Sequence, residues 1–409
     1  MTNMKRNLFL LWLRDFFFSI AGTLAAASVI QGFLLHYGVS EDHISFYVAF
    51  GTVVTFAASV LFSGATARVK KTTRVLSVCM GIQAVCTALY TIFVAKQFAE
   101  QTFFVLLLVV AGISTVAASI KTIFEYKLPC EVIDLDKYGM YISVSGIMSG
   151  LIGIFVGILI TFLYNKGDFG TVSVGVFFAS AAAMVAAAVI NGLLRVIHEV
   201  PVTEKTRNSF AALMTLFKDK TFLILLVPNF VRSTGSALMG LTALIAVGNG
   251  LLSDTECAII ATLTAASTMA ANVLYLPMTK LLKRPGTALA GALAFCLVFP
   301  AFLSGSKIVF FICFTVAMTG QIITGNAIPD LIYQNVPSDI ISPFNTWRMI
   351  LLNMGSAAAT AVFGILLKWQ VPTAVLLIVG AAGFLVCSVT YWLYFRNSEK
   401  VVLKNAAND

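Results

Sequence analysis

Twelve apolar runs, most of them near twenty residues long, mark out this 409-residue sequence and restrict its fold more than any other feature. They fall at about 8–35, 44–67, 75–95, 103–125, 141–164, 171–194, 222–247, 256–281, 286–304, 307–328, 346–367 and 372–395. A helix rises about 1.5 Å per residue, so roughly 20 apolar residues cross a hydrocarbon core about 30 Å thick. The runs show no period-two alternation, which argues against membrane strands. The chain is 59% hydrophobic and only 11% charged. A soluble domain carries roughly 25% charged residues, so this supply cannot coat a water-exposed surface. The expectation is an all-α membrane protein with twelve transmembrane helices.

The net charge of +9 does not point to nucleic acid, because the basic residues lie in short clusters between apolar runs. With the amino terminus inside, 19 of the 27 Lys and Arg residues fall on inner segments. Only Lys96, Lys166, Lys307 and Lys368 fall outside. That bias predicts both termini in the cytoplasm and a multi-pass protein of the cell's inner membrane. The first run is too long for a signal-peptide core and reads as a retained helix. Most of the seven cysteines lie inside apolar runs, and His36, His43 and His198 are scattered. No zinc spacing, nucleophile–base pair or Walker motif appears, so no cofactor, enzyme activity or direct ATP drive is expected. Trp12, Trp347, Trp369 and Trp392 sit near helix ends and read as interfacial anchors.

The longest hydrophilic stretch, Arg195 to Thr221, separates six runs from six. The expected parts are a first bundle over 1–194, a cytoplasmic loop over 195–221, a second bundle over 222–395 and a cytoplasmic tail over 396–409. Ser209 to Phe217 within the loop is expected to form a short amphipathic surface helix. The halves share local patterns. Asp15-Phe16-Phe17-Phe18-Ser19 opens one, and Asn229-Phe230-Val231-Arg232-Ser233 opens the other. Leu128-Pro129-Cys130-Glu131-Val132-Ile133 follows the fourth run, and Ile328-Pro329-Asp330-Leu331-Ile332 follows the tenth. Both pairs fall at corresponding points of a six-plus-six duplication.

Twelve helices, both ends inside, a charged central loop and two similar halves resemble the major facilitator superfamily. That family's loop after helix 2 reads Gly-x-x-x-Asp-Arg-x-Gly-Arg. Here the segment is Gly64-Ala65-Thr66-Ala67-Arg68-Val69-Lys70-Lys71-Thr72, which keeps the first glycine and the basic character but not the aspartate or second glycine. The Glu131 and Asp330 segments also resemble those of glycoside–cation symporters, whose first-half sodium-site aspartates have no match in the second run. The resemblance implies two six-helix bundles around a central cavity and transport by alternating access.

Several residues are candidates for function. Gly146, Gly150, Gly153 and Gly157 share one face of the fifth run, where glycine admits a neighbouring backbone. The eighth run offers the small residues Ala261, Thr262, Ala265 and Ala266, and the family fold brings helices 5 and 8 together. This seam either slides during transport or packs statically. Charges inside spans are costly and are functional candidates. Arg14 and Asp15 lie in the first run, Lys121 in the fourth with Glu125 one turn on, and Arg232 in the seventh. Asp15 with Lys121 resembles the carboxylate–cation pair of sugar–proton symporters. It is either a proton-coupling pair or a static lock, which would also explain Arg14 with Glu125. Arg348 begins the eleventh run and is expected to reach the inner surface.

Arg232 lies ten residues into its helix, with no acid there to pair with it, and is expected to meet a wet cavity or an anion. Organophosphate antiporters resemble this use of basic residues on helices 1 and 7, with Arg14 one turn offset from Phe18, the repeat mate of Arg232. Gln31, Gln83, Asn272, Tyr275, Gln321, Asn326 and Asn353 either line a cavity for a hydroxylated or carboxylated solute or bond helix to helix.

The reading is a secondary transporter of a small polar or anionic solute, organic anion or sugar-like, coupled to protons. Its partners are that solute, protons and membrane lipid, not nucleic acid, and a monomer is expected. The alternatives are a drug or toxic-metabolite exporter of the same fold and a lipid scramblase or non-transporting sensor. The fifth run lacks the proline-containing glycine motif of drug antiporters. Cysteine labelling should place positions 71, 205 and 404 inside and positions 42, 168 and 254 outside; an outside 205 would overturn the six-plus-six division.

Overall fold

The computed structural model describes residues 3–62, 69, 71–95, 100–125, 128–133, 138–197, 220–335 and 341–396. Most of the loop after the second run, the expected amphipathic helix at 209–217 and the tail beyond 396 lie outside the described residues. The helices run α1 Asn3–Leu24, α2 Ala27–His36, α3 Glu41–Phe62, α4 Thr72–Ala95, α5 Glu100–Glu125, α6 Leu128–Val132, α7 Tyr138–Lys166 and α8 Phe169–Gly192. They continue as α9 Lys220–Gly240, α10 Thr242–Gly248, α11 Ala258–Phe295, α12 Val298–Leu303, α13 Lys307–Asn335, α14 Ile341–Lys368 and α15 Thr373–Phe395. No strand occurs among the described residues. The chain is therefore an all-α membrane protein.

Among the described residues, eleven stretches are long and apolar enough to cross a membrane, against twelve runs expected. The difference lies in one 49-residue stretch, Thr255–Leu303, which covers two of the runs. Lys283, at φ 59° and ψ 170°, breaks its helical backbone just before Arg284-Pro285. A left-handed lysine and a following proline both interrupt a helix. Divided there, the stretch supplies two spans.

The first and seventh runs are also broken. Ala26, at ψ 150°, separates α1 from α2, and Leu241, at φ −105° and ψ 12°, separates α9 from α10. The two breaks fall at similar distances beyond Asp15 and Asn229, so the repeat extends to backbone shape. By its contacts the chain divides into two compact units: residues 1–207 with 241–269, and residues 208–240 with 270–409.

In the first unit α8 packs on α1 and α4, α5 on α3 and α4, and α7 on α1. Asp168 caps α8, accepting from the Thr171 backbone N–H at 2.9 Å. The bonds from Thr171 hold its carboxyl below the usual carboxylate range. Leu8, Leu11, Leu76, Phe124, Leu128, Val132 and Tyr141 form one apolar cluster. Inside it the Thr72 hydroxyl donates to Glu131 at 2.8 Å. In the second unit, Leu225, Leu226, Ile328, Leu331, Cys387, Tyr391 and Phe395 form the corresponding cluster. There Asp330 meets Arg284 at 3.4 Å. In each repeat the acid after the proline thus reaches the start of the third helix. These segments are not loops: Leu128–Val132 is a short helix, and Asp330 lies within α13.

Lipid tails are as apolar as leucine, so close packing rather than water exclusion joins these helices. The glycine face of α7 shows it. A β-carbon at Gly150 would sit 2.9 Å from Met269 Cβ, one at Gly153 would overlap Ala265, and one at Gly157 would overlap Thr262. All these residues belong to the first unit. Gly146 lies half-buried one turn earlier. Beside the seam, Ser19 and Ser149 bond at 2.5 Å; such bonds average only about 0.6 kcal/mol in membranes, so backbone approach dominates. The last helix of the second unit repeats the device, with Gly383 facing Thr234 and the Val231 carbonyl.

Gly153→Ala should lower the melting temperature by several degrees, because overpacking costs about 1–3 kcal/mol. Removing the Ala265 β-carbon leaves only contacts of 3.6 Å and longer, so Gly153→Ala with Ala265→Gly should melt close to wild type. A single variant that melts normally would show that this approach is not tight.

Candidate functional site

Four of the charged candidates converge in the first unit. Arg14 and Asp15 are sequence neighbours, whose side chains leave a helix about 100° apart. The arginine stem is long enough to turn back, and Arg14 Nε and Nη2 donate to Asp15 Oδ1 at 2.9 and 2.6 Å. The other carboxylate oxygen, Oδ2, accepts from the Tyr141 hydroxyl at 2.7 Å and the Ser145 hydroxyl at 2.6 Å. Tyr141 and Ser145 are four residues apart on α7 and so share a face. Asp15 therefore receives four donors and ties α7 to α1. Arg14 also donates to the Tyr141 oxygen at 3.1 Å and reaches Asn191 at 3.5 Å. Asn191 in turn donates to the Thr73 carbonyl at 2.7 Å and to Ser77 at 3.1 Å.

Glu125 stands between two cations, 3.9 Å from Arg14 Nη1 and 3.9 Å from Lys121 Nζ. Lys121 Nζ lies 3.4 Å from the centroid of the Phe18 ring, a short cation–π contact. The pairing differs from the expected one. Asp15 pairs with Arg14, and the carboxylate nearest Lys121 is Glu125. The reason is geometric: Lys121 and Glu125 are one helical turn apart on α5, while Arg14 is close enough to fill Asp15. Arg14 also meets Glu125, a pair that the static-lock alternative included. Exposure separates the acids, since the Asp15 side chain is 13% exposed and that of Glu125 is 32% exposed.

The second unit treats its charge differently. Arg232, on α9, is 6% exposed. Among the described residues its guanidinium has no ion pair or hydrogen bond, and its Nε is buried without a partner. Its Cζ lies 5.7 Å from the centroid of the Phe384 ring. A β-carbon at Gly325 on α13 would be 3.7 Å from Nη1. Arg348 does not reach a surface as expected: it is 8% exposed. The Tyr391 phenol, on α15, donates to the Leu225 carbonyl at 3.0 Å.

The amide candidates separate. Asn326 donates to Asn272 at 3.5 Å, and Tyr275 donates to Asp330 at 2.6 Å, so these four form one polar group in the second unit. Gln321 lies one turn from Gly325 with a buried amide oxygen that has no partner among the described residues. Gln31 is buried in α2, Gln83 is half-buried in α4 and Asn353 is half-buried in α14. Sequence reasoning gave no role to Tyr141, Ser145 and Asn191, although the i,i+4 spacing of the first two was a usable signal. It also missed His36 Nδ1, 2.7 Å from Asp254 Oδ2 with its ring stacked on Phe169 at 3.7 Å.

Comparison with known proteins follows the same lines. The structure resembles a D-xylose–proton symporter with a TM-score of 0.72 and 13% identity, covering 96% of this chain and 98% of the other. It resembles the nucleoside transporter NupG with a TM-score of 0.69 and 14% identity, covering 95% and 99%. A bacterial homologue of the human lysosomal transporter Spinster gives a TM-score of 0.65 and 17% identity, covering 98% of each chain. No curated protein sequence matches this chain. The family model described as Major Facilitator Superfamily matches residues 11–342. That match takes in the charged cluster of the first unit and Arg232, and this chain belongs to the Major Facilitator Superfamily.

Proposed function

We propose that this protein is a secondary active transporter that moves a small polar solute, an organic anion or a sugar-like molecule, across the cell's inner membrane by proton-coupled alternating access. The observation that carries the proposal is the Asp15 carboxylate, which pairs with Arg14 on its own helix and joins α1 to α7 by accepting from Tyr141 and Ser145. Protonation replaces one acceptor site with an O–H and weakens the attraction to Arg14. At least one of the Arg14, Tyr141 and Ser145 bonds must then lengthen or break. The glycine face of α7 lies only a few residues further along the same helix, so a proton on Asp15 loosens the attachment of the helix that forms the seam. Glu125, more exposed and shared by Arg14 and Lys121, delivers the proton to this cluster.

Supporting the solute class, the structural neighbours include a D-xylose–proton symporter, a nucleoside transporter and a fucose–proton symporter of E. coli. The second unit contributes Arg232, Gln321, Asn272, Asn326 and Tyr275 as contacts for the solute. The protein acts as a monomer, with both termini on the cytoplasmic side.

Asp15→Asn should abolish accumulation of solute against its gradient in proteoliposomes while exchange across the membrane continues. Tyr141→Phe, which removes one donor and keeps the charge, should shift the pH dependence of uptake without abolishing it. Undiminished uphill accumulation by Asp15→Asn would make Asp15 a structural lock.

A further inference from the structure

The two units handle the cations of their spans in opposite ways. In the first, Arg14 and Lys121 have carboxylate neighbours. The position matching Arg232 in that repeat is Phe18, and its ring carries the Lys121 ammonium. In the second unit the cation sits on the repeat position itself, over the ring of Phe384 from a neighbouring helix. Asn229 occupies the place of Asp15 and donates to the Leu225 carbonyl and the Tyr391 oxygen, both at 2.7 Å. With an amide in the acid's place, α9 carries no carboxylate.

A guanidinium presents a planar set of donors that matches a carboxylate with two parallel bonds. Arg232 is more than nine-tenths buried, about ten residues into its helix, with Nε unpartnered. At that depth the side chain cannot reach either interface comfortably, and an ionised group without a counter-charge is costly. One residue adjoins the donors, and a second lies one turn from it. Gly325 adds no side chain of its own beside Nη1, where a β-carbon would stand 3.7 Å away. Gln321, one turn away on the same face of α13, holds an amide oxygen that lacks a donor.

We infer that Arg232 is the carboxylate-binding residue of the solute site, with Gln321 accepting from a hydroxyl of the same molecule, so that the transported solute is a hydroxylated monocarboxylate. This rests on the transport reading above and narrows its solute class. The single charge of Arg232 matches that of one carboxylate; a phosphate monoester brings nearly two.

The test uses purified full-length protein with gluconate and lactate as acids, glucose as the neutral counterpart and glucose 6-phosphate as the dianion. Binding is read by calorimetry and melting temperature, and transport by counterflow in proteoliposomes. An acid should bind wild type at least ten times more tightly than glucose. Arg232→Gln should weaken that acid by about ten- to a hundredfold, the worth of a charge-assisted hydrogen bond. Arg232→Lys should recover only part of the loss, because an ammonium is not a planar fork. The comparison of acid with neutral ligand in wild type needs no variant, so a poorly folding Arg232→Gln does not remove the test. Preference for glucose or glucose 6-phosphate, or full acid affinity in a folded Arg232→Gln, would overturn the inference. If glucose still exchanges by counterflow in that case, transport stands and only the solute class falls. If nothing in the panel binds or exchanges, the inference falls together with its basis.

Discussion

Hydrocarbon offers no partner to a charge, and that constraint governs the arrangement of every ionised group within the spans. In water a surface ion pair contributes little, and many contribute nothing measurable. Inside a membrane the alternative to pairing is a desolvated charge costing several kcal/mol. Asp15, with four donors, and Lys121, between Glu125 and the Phe18 ring, each satisfy the constraint within the first unit. Arg232 has only an aromatic face among the described residues. The rule that makes the first cluster self-sufficient leaves Arg232 without a counter-charge among the described residues, which is the basis of the anion-binding proposal.

Close packing is the other half of the construction. The hydrophobic effect does not hold helices together in lipid, so contact area and backbone approach decide which faces meet. On α7 these two physical devices occur in sequence. Tyr141 and Ser145 fix one part of the helix to α1 through Asp15. Gly150, Gly153 and Gly157 then pack a later part against Met269, Ala265 and Thr262. A change in the charge of one carboxylate therefore acts on a helix whose other contacts are short and tolerate little displacement. In the proposed cycle this connects the proton to the seam.

Much of this organisation was legible in the sequence, and the physical reasons are specific. Apolar length fixed the spans, and the family assignment followed from twelve runs and the paired Asp15 and Asn229 patterns. The glycine face of α7 was visible because spacings of four and three repeat on a helix. The positive φ of Lys283 was not, although the gap between the eighth and ninth runs marked an interruption there, since nothing in a Lys-Arg-Pro run specifies a positive φ against an ordinary helix end. The partners of Asp15 were misread because Asp15 was matched with Lys121 by resemblance to the carboxylate–cation pair of sugar–proton symporters. Side-chain reach decided otherwise: an arginine folding back onto the next residue, and a tyrosine and serine one turn apart on α7. The Glu131–Thr72 and Asp330–Arg284 contacts lay in motifs recognised only as repeats, because their partners are distant in sequence.

The central claim is that a single carboxylate-bearing solute moves together with protons. The most direct measurement is the internal pH of proteoliposomes, followed with a trapped fluorescent dye, when gluconate or lactate is added outside with no imposed pH or electrical gradient. The account predicts acidification of the interior that tracks uptake of radiolabelled acid and is absent from liposomes without protein. Uptake of the acid with no accompanying change in internal pH would contradict it.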